Sequence, residues 1–290
     1  MNKGHQATAV SCRLAAACTY SKQECMLRIS FACLEEVVER TFVNALAPPT
    51  IEKLDGWLEF VCIPRPDRFN MNANFTINPA PAAPDAALLK AFQDVPTSHI
   101  SDNQGRLEGV VGLRRFHRAR KMVGTAVTVK ARAGDNLLTY KALSMMSPGH
   151  VLVVDAGGVT NNAIVGDLLL EYALQRGCAG FVIDGAIRDS AAFLDADFPC
   201  YARDVNHRGP FKTGPGSLNV PVSIGGQVVQ PGDYVVGDED GIVVFPAAQA
   251  SQLLEAALRH AELEQAIRDE IRTGKVQQSW MDKMFAAHGL

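Results

Sequence analysis

Asp167, Arg188 and Asp189 are the residues whose types and spacing best suit chemistry. Arg188-Asp189 follow a strand ending at Asp184 by a short turn containing Gly185, and Asp167 opens a helix directly after Gly166. Carboxylates suit a hard cation such as Mg²⁺, which keeps several waters and takes one or two protein carboxylates. A guanidinium suits a bound carboxylate, because its fork donates two parallel hydrogen bonds. The amides of Leu168 and Leu169 belong to a helix N-terminus, where unpaired N–H groups attract an anionic oxygen. Singly, each residue has a simpler reading. Asp167 is a favourable charge on a helix dipole, and Arg188-Asp189 is a surface ion pair. Jointly, two acids and an arginine at element ends around one βαβ crossover can converge on one pocket, since α/β proteins bind ligands beyond the carboxyl ends of their strands.

The elements that must position these residues follow from hydrophobic pattern and turn residues. Val151 to Asp155 and Gly180 to Asp184 are continuous apolar runs ended by glycine, as expected of strands buried on both faces. Gly166 to Arg176 reads as the helix between them, and the set makes a βαβ unit. Upstream, Asp85 caps a short helix through Phe92, a strand covers Val123 to Ala131, and a helix runs from Asn136 to Met145. Downstream, short strands are predicted at Val220 to Ile224, Gln227 to Val229, Tyr234 to Val236 and Ile242 to Phe245, with a hairpin turn between the last two. A last helix spans about Ala248 to Arg272. On it Leu253, Ala257, His260, Glu264, Ile267 and Ile271 share one face, so Glu264 is an acid on a mostly apolar stripe. The fold class is α/β with a partly antiparallel β layer.

The first 70 residues differ in character. They hold five of the seven cysteines, lack turn-punctuated strands, and offer one helical pattern from Phe31 to Leu46. Residues 71–85 read as a linker, from the Pro/Ala stretch at Pro79 to Pro84. The main domain is expected over 86–274, with a tail at 275–290.

Composition narrows the function classes. Apolar residues make up 47% and charged residues 20%, an ordinary globular mix, and the net charge of −3 argues against a nucleic-acid surface. No apolar run reaches membrane-span length, and no membrane partner is expected. Seven cysteines without a CxxC pair suit reduced thiols in the cytoplasm. Ser98, His99, Ser101 and Asp102 have triad residue types, but near neighbours in a loop rarely form a triad. Asp135-Asn136 reads as a helix cap. No GxGxxG opens a helix after a strand, so neither a dinucleotide nor a methyl-donor site is supported.

Asp167 followed by 20 residues and then Arg188-Asp189 resembles the signature of the RraA-like family, which includes the class II 4-hydroxy-4-methyl-2-oxoglutarate / 4-carboxy-4-hydroxy-2-oxoadipate aldolases. The surrounding Gly166-Asp167-Leu168-Leu169, Gly177, Gly180, Asp184-Gly185 and the run Pro231 to Pro246 match as well. The resemblance covers roughly Ala86 to Gly274. It implies a swivelling β/β/α fold with a C-terminal helix, assembled as a homotrimer or a dimer of trimers. It implies a divalent metal, Mg²⁺ or Mn²⁺, bound directly by Asp189. It further implies substrate binding by Arg188 and by the Gly166, Asp167, Leu168, Leu169 segment, with Asp167 acting through water. Glu264 stands where the family has a glutamate that reaches a neighbouring subunit's site. The activity implied is metal-dependent retro-aldol cleavage of a 4-hydroxy-2-oxo acid to pyruvate, with oxaloacetate decarboxylation through the same enolate. A second class remains open, because RraA itself resembles this fold and acts by binding and inhibiting a ribonuclease. An older family label, menaquinone methyltransferase, is disfavoured by the missing methyl-donor loop. Residues 1–70 have no counterpart in the family pattern and read as an over-extended start or an unrelated appendage. A protein beginning at Met71 is therefore expected to fold and keep full activity, and loss of soluble protein on that truncation would refute the expectation.

Overall fold

The computed structural model of the chain describes residues 25–30, 50–54, 57–62 and 75–290. These fall into two compact units, Met1–Asn70 and Met71–Leu290. In the first unit, β1 (Cys25–Ser30), β2 (Thr50–Leu54) and β3 (Trp57–Cys62) form an antiparallel sheet in the order β1-β3-β2. The sequence reading found no strands here. Leu54 pairs with Trp57 across Asp55-Gly56, a dipeptide that favours two-residue hairpins and was the missed signal. The helix expected over Phe31–Leu46 lies outside the described residues.

The second unit is built on a sheet with the path β15-β14-β6-β7-β9-β10-β5. Its elements, in chain order, begin with β4 (Phe75–Ile77), α1 (Ala86–Ala91), α2 (Thr97–Asp102), β5 (Arg114–Arg115) and β6 (Met122–Ala131). Then come α3 (Leu137–Met145), β7 (His150–Asp155), β8 (Ala163–Val165), α4 (Asp167–Gln175), β9 (Gly180–Ile187), α5 (Ser190–Asp195) and β10 (Cys200–Val205). The chain finishes with β11 (Gly216–Leu218), β12 (Val222–Ile224), β13 (Gln227–Val229), β14 (Tyr234–Gly237), β15 (Ile242–Phe245), α6 (Ala250–Arg272) and α7 (Ser279–Ala287). Strands β6, β7, β9 and β10 run parallel, and β14–β15 is the expected antiparallel hairpin. Two segments differ from the reading. β4, inside the stretch taken as linker, pairs with β11, and α2 replaces the expected loop around His99.

Alternation along the central strands sorts their side chains onto two faces. Leu152, Val154, Phe181 and Ile183 pack with Leu143, Leu169, Leu170 and Phe193 of the helices. Val151, Val153 and Val182 face the opposite way, against Val222, Ile224 and Val229 of the β12–β13 hairpin. The β14–β15 end of the sheet packs Val236, Val243 and Phe245 against Phe92, Ile100 and the first half of α6, at Leu253 and Ala257. The result is helices, sheet and a small β layer. The carboxyl ends of β8 and β9 and the start of α3 border one cleft. No described helix is long and apolar enough to cross a membrane.

Candidate active site

β8 runs parallel to β9, with Val165 opposite Ile187, so the residues that follow each strand meet. Gly166-Asp167 therefore stands against Arg188-Asp189, and the Arg188 N–H donates to the Val165 carbonyl at 2.9 Å. This is how Asp167 and Asp189, 22 residues apart, converge. Asp189 Oδ2 accepts from the Asp167 N–H at 3.3 Å and lies 3.3 Å from Arg188 Nε. The close approach requires glycine at 166: a Cβ there would sit 2.5 Å from Asp189 Oδ2 and 2.9 Å from Arg188 Cγ.

Asp189 has φ 52° and ψ 40°, a left-handed conformation that aspartate and asparagine tolerate better than most residues. It precedes α5 but makes no capping bond to that helix, and its side chain is 40% exposed. Its carboxylate is thus held toward the Gly166–Asp167 backbone rather than spent on a cap.

Asp167, Leu168, Leu169 and Arg188 line a small cleft of about 60 Å³, together with Asn136, Tyr140 and Lys212. The Leu168 N–H donates to Asp167 Oδ1 at 2.7 Å. The first two amides of α4 therefore already have carboxylate partners from within the site. Carboxylate oxygens at these positions are in keeping with the preference of helix N-termini for negative charge.

Among the described residues no three His, Cys, Asp or Glu side chains gather as a metal-ligand set. The donors present are hard oxygens, with Asp189 partly open and the Asp167 carboxylate on the residue whose backbone N–H it accepts from. Such a set fits a hydrated Mg²⁺ or Mn²⁺ on one protein carboxylate, and not a closed zinc centre.

Glu264 is the site candidate that one chain does not bring to the cleft. It lies on α6 beside α2, where Oε2 is 3.2 Å from His99 Nε2 and Oε1 is 3.3 Å from His260 Nε2. Arg268 Nη2 also contacts it. Burial pushes its carboxyl up, but the His99 hydrogen bond and the neighbouring charges outweigh this and hold it below its ordinary value. The apolar stripe on which Glu264 was placed fades past Ala257, and Ile271 is exposed.

Two residues of the cleft, Tyr140 and Lys212, escaped the sequence reading, while Asn136 is singled out there as part of a helix cap. Asn136 is buried and its amide donates to the Ile164 carbonyl at 3.0 Å, while its Oδ1 has no partner. Tyr140 lies one turn into α3, and Lys212 Nζ stands 5.6 Å from its ring centroid. Neither has a motif to announce it. The signal lay in the cap Asp135-Asn136, which points back toward the same cleft.

A family model described as RraA-like (Aldolase/RraA) matches residues 97–244. A protein of Halalkalibacterium halodurans, provisionally named a 4-hydroxy-4-methyl-2-oxoglutarate aldolase, is 42% identical over 173 residues, covering 58% of this chain and 81% of that relative. One of Ectopseudomonas mendocina with the same provisional name is 41% identical over 125 residues, covering 43% and 76%. Among solved structures, Streptomyces coelicolor RraAS2, described as an unusual member of the RNase ES inhibitor RraA protein family, superposes with a TM-score of 0.59 at 29% identity, covering 64% of this chain and 98% of that one. With the family model spanning half the chain and a 42% identical relative covered over four fifths of its length, the chain belongs to the RraA-like family.

Proposed function

We propose that this chain is a lyase that cleaves a 4-hydroxy-2-oxo acid of the 4-hydroxy-4-methyl-2-oxoglutarate type into pyruvate and a second oxo acid. The observation that carries the reading is the contact of Asp189 with Arg188 and with the Asp167 helix start, the last two of which line one cleft. The names of the relatives point the same way.

Asp189 would hold the divalent cation, Mg²⁺ or Mn²⁺. When bound, that cation supplies Lewis-acid stabilisation of negative charge on the 2-oxo acid. Arg188 lines the cleft with its guanidinium and pairs with the substrate carboxylate. Lys212 adds a second positive charge to the same cleft. Asp167 takes the 4-hydroxyl proton through a water, with Glu264 of a neighbouring subunit sharing that water in a homotrimer or hexamer. As the proton leaves, the C3–C4 bond breaks. Its electron pair passes to the C2–C3 enolate, C4 becomes a carbonyl, and protonation at C3 gives pyruvate. Arg188 opposes the charge that builds up in this step. Oxaloacetate decarboxylation reaches the same enolate and is the expected second activity. The cytoplasm is the compartment this reading assigns, and the free, buried thiols of Cys178 and Cys200 are in keeping with it.

Pyruvate release from 4-hydroxy-4-methyl-2-oxoglutarate and from oxaloacetate, with Mg²⁺, with Mn²⁺ and with excess chelator, tests the reading. Metal-stimulated release from both acids, abolished by chelator, is expected. No release from either acid under any of these conditions would sink it. The ribonuclease-inhibitor reading, favoured by the likeness to RraAS2, would then stand in its place.

A further inference from the structure

Asp135 has more partners than a helix cap needs. The residue is only 2% exposed. Oδ1 accepts from the Leu137 N–H at 2.9 Å, at the start of α3. Oδ2 accepts from the Thr213 N–H at 2.6 Å, the Gly214 N–H at 2.8 Å and the Thr213 hydroxyl at 3.3 Å. Backbone bonds reinforce the joint: the Asn136 N–H donates to the Phe211 carbonyl at 3.0 Å, and the Phe211 N–H to the Gly134 carbonyl at 2.8 Å. One buried carboxylate thus ties together two segments 78 residues apart.

Each of those segments carries one member of a contact on the cleft wall. The loop before Thr213 carries Lys212, and α3 carries Tyr140, over whose ring the Lys212 ammonium stands at 5.6 Å. Lys212 is exposed, and an exposed lysine on a loose loop would lose considerable rotamer entropy on meeting a ligand. Fixing the loop and the tyrosine together removes part of that cost in advance, which is preorganisation.

We propose that Asp135 is a positioning residue for substrate recognition. It binds the Thr213–Gly214 backbone and the α3 start so that Lys212 is held ready for a second carboxylate, the one a diacid carries at the end remote from its 2-oxo group. The inference rests on the aldolase reading of the cleft and names what selects the substrate there.

The test compares the diacid 4-hydroxy-2-oxoglutarate with the monoacid 4-hydroxy-2-oxopentanoate, which ends in a methyl group. Asp135→Asn keeps the shape and the Oδ1 acceptor but turns an NH₂ toward the Thr213 and Gly214 N–H groups. Its KM for the diacid rises by about tenfold or more, the scale of a hydrogen bond to a charged group, while kcat and the monoacid KM stay within about twofold of wild type. Lys212→Met produces the same diacid defect, and the double variant is no worse than Lys212→Met alone, because both changes remove one interaction. Equal loss on both acids, or additive defects, would show Asp135 to be a structural staple only and overturn the proposal; so would an unchanged diacid KM. If the wild-type protein releases no pyruvate from either acid, the aldolase reading falls on its own. The melting temperature then decides the inference. Stabilisation by 2-oxoglutarate must exceed that by 2-oxobutyrate in wild type and lose that excess in Asp135→Asn; an equal response in the two proteins overturns it.

Discussion

Asp189→Asn is expected to lower kcat/KM for pyruvate release by about 10²- to 10³-fold, the scale seen when a group that manages transition-state charge is removed. Asparagine is the informative substitution because of the backbone. Residue 189 sits at φ 52°, ψ 40°, where a branched or bulky side chain is strained and asparagine is not. Alanine would combine loss of charge with loss of a favourable left-handed residue, whereas asparagine removes the charge alone. Its amide oxygen can still accept from the Asp167 N–H, so the Gly166–Asp167 turn keeps its partner. The side chain is 40% exposed, so little stability depends on the charge itself. The melting temperature should move by no more than about 2–4 °C, the shift that 1 kcal/mol causes in a domain of this size. Coupled assay of pyruvate, with a melting curve on the same sample, checks both halves. Wild-type turnover in Asp189→Asn would remove Asp189 from the mechanism.

The convergence behind that prediction was legible because it is local to one supersecondary unit. Two buried strand runs ended by glycine, with a helix between them, leave few ways to arrange Gly166-Asp167 and Arg188-Asp189 except side by side. β8 supplies the detail. It has only three residues, too short for any periodicity to announce it, yet its parallel pairing with β9 sets the contact. What could not be read came from long range. His99 lies 165 residues from Glu264, and α2 has six residues, mostly polar, so nothing in the pattern foretold that α2 would meet α6 through a histidine–carboxylate joint. Asp135 is similar. Its capping bond to Leu137 is a sequence-level signal, while its bonds to Thr213 and Gly214 exist only because the chain returns beside α3 after β10. Local rules find the reacting groups here, and tertiary hydrogen bonds decide what surrounds them.

Gly166→Ala should be nearly as damaging to activity as the loss of Asp189, for a steric reason. Gly166 has φ −151°, ordinary extended backbone that alanine adopts freely. In such a position alanine usually stabilises a protein by about 0.4–1 kcal/mol, by restricting the unfolded chain. Here the added methyl meets Asp189 Oδ2 at 2.5 Å, Arg188 Cγ at 2.9 Å and Arg188 Nε at 3.0 Å. All three atoms belong to partly exposed side chains, so they can swing away without disturbing the core. The fold therefore survives with a small change in melting temperature, while Asp189 and Arg188 leave the geometry in which they meet. A displacement on the order of 1 Å at reacting groups costs about 10²-fold in rate, so a loss of that size in kcat/KM is expected, for oxaloacetate as for the 4-hydroxy acid. Both acids must suffer, because both need the same two side chains. Retention of near-wild-type rates, or a loss of activity fully explained by unfolding, would mean that the Gly166 contact with Asp189 and Arg188 does not hold the catalytic arrangement.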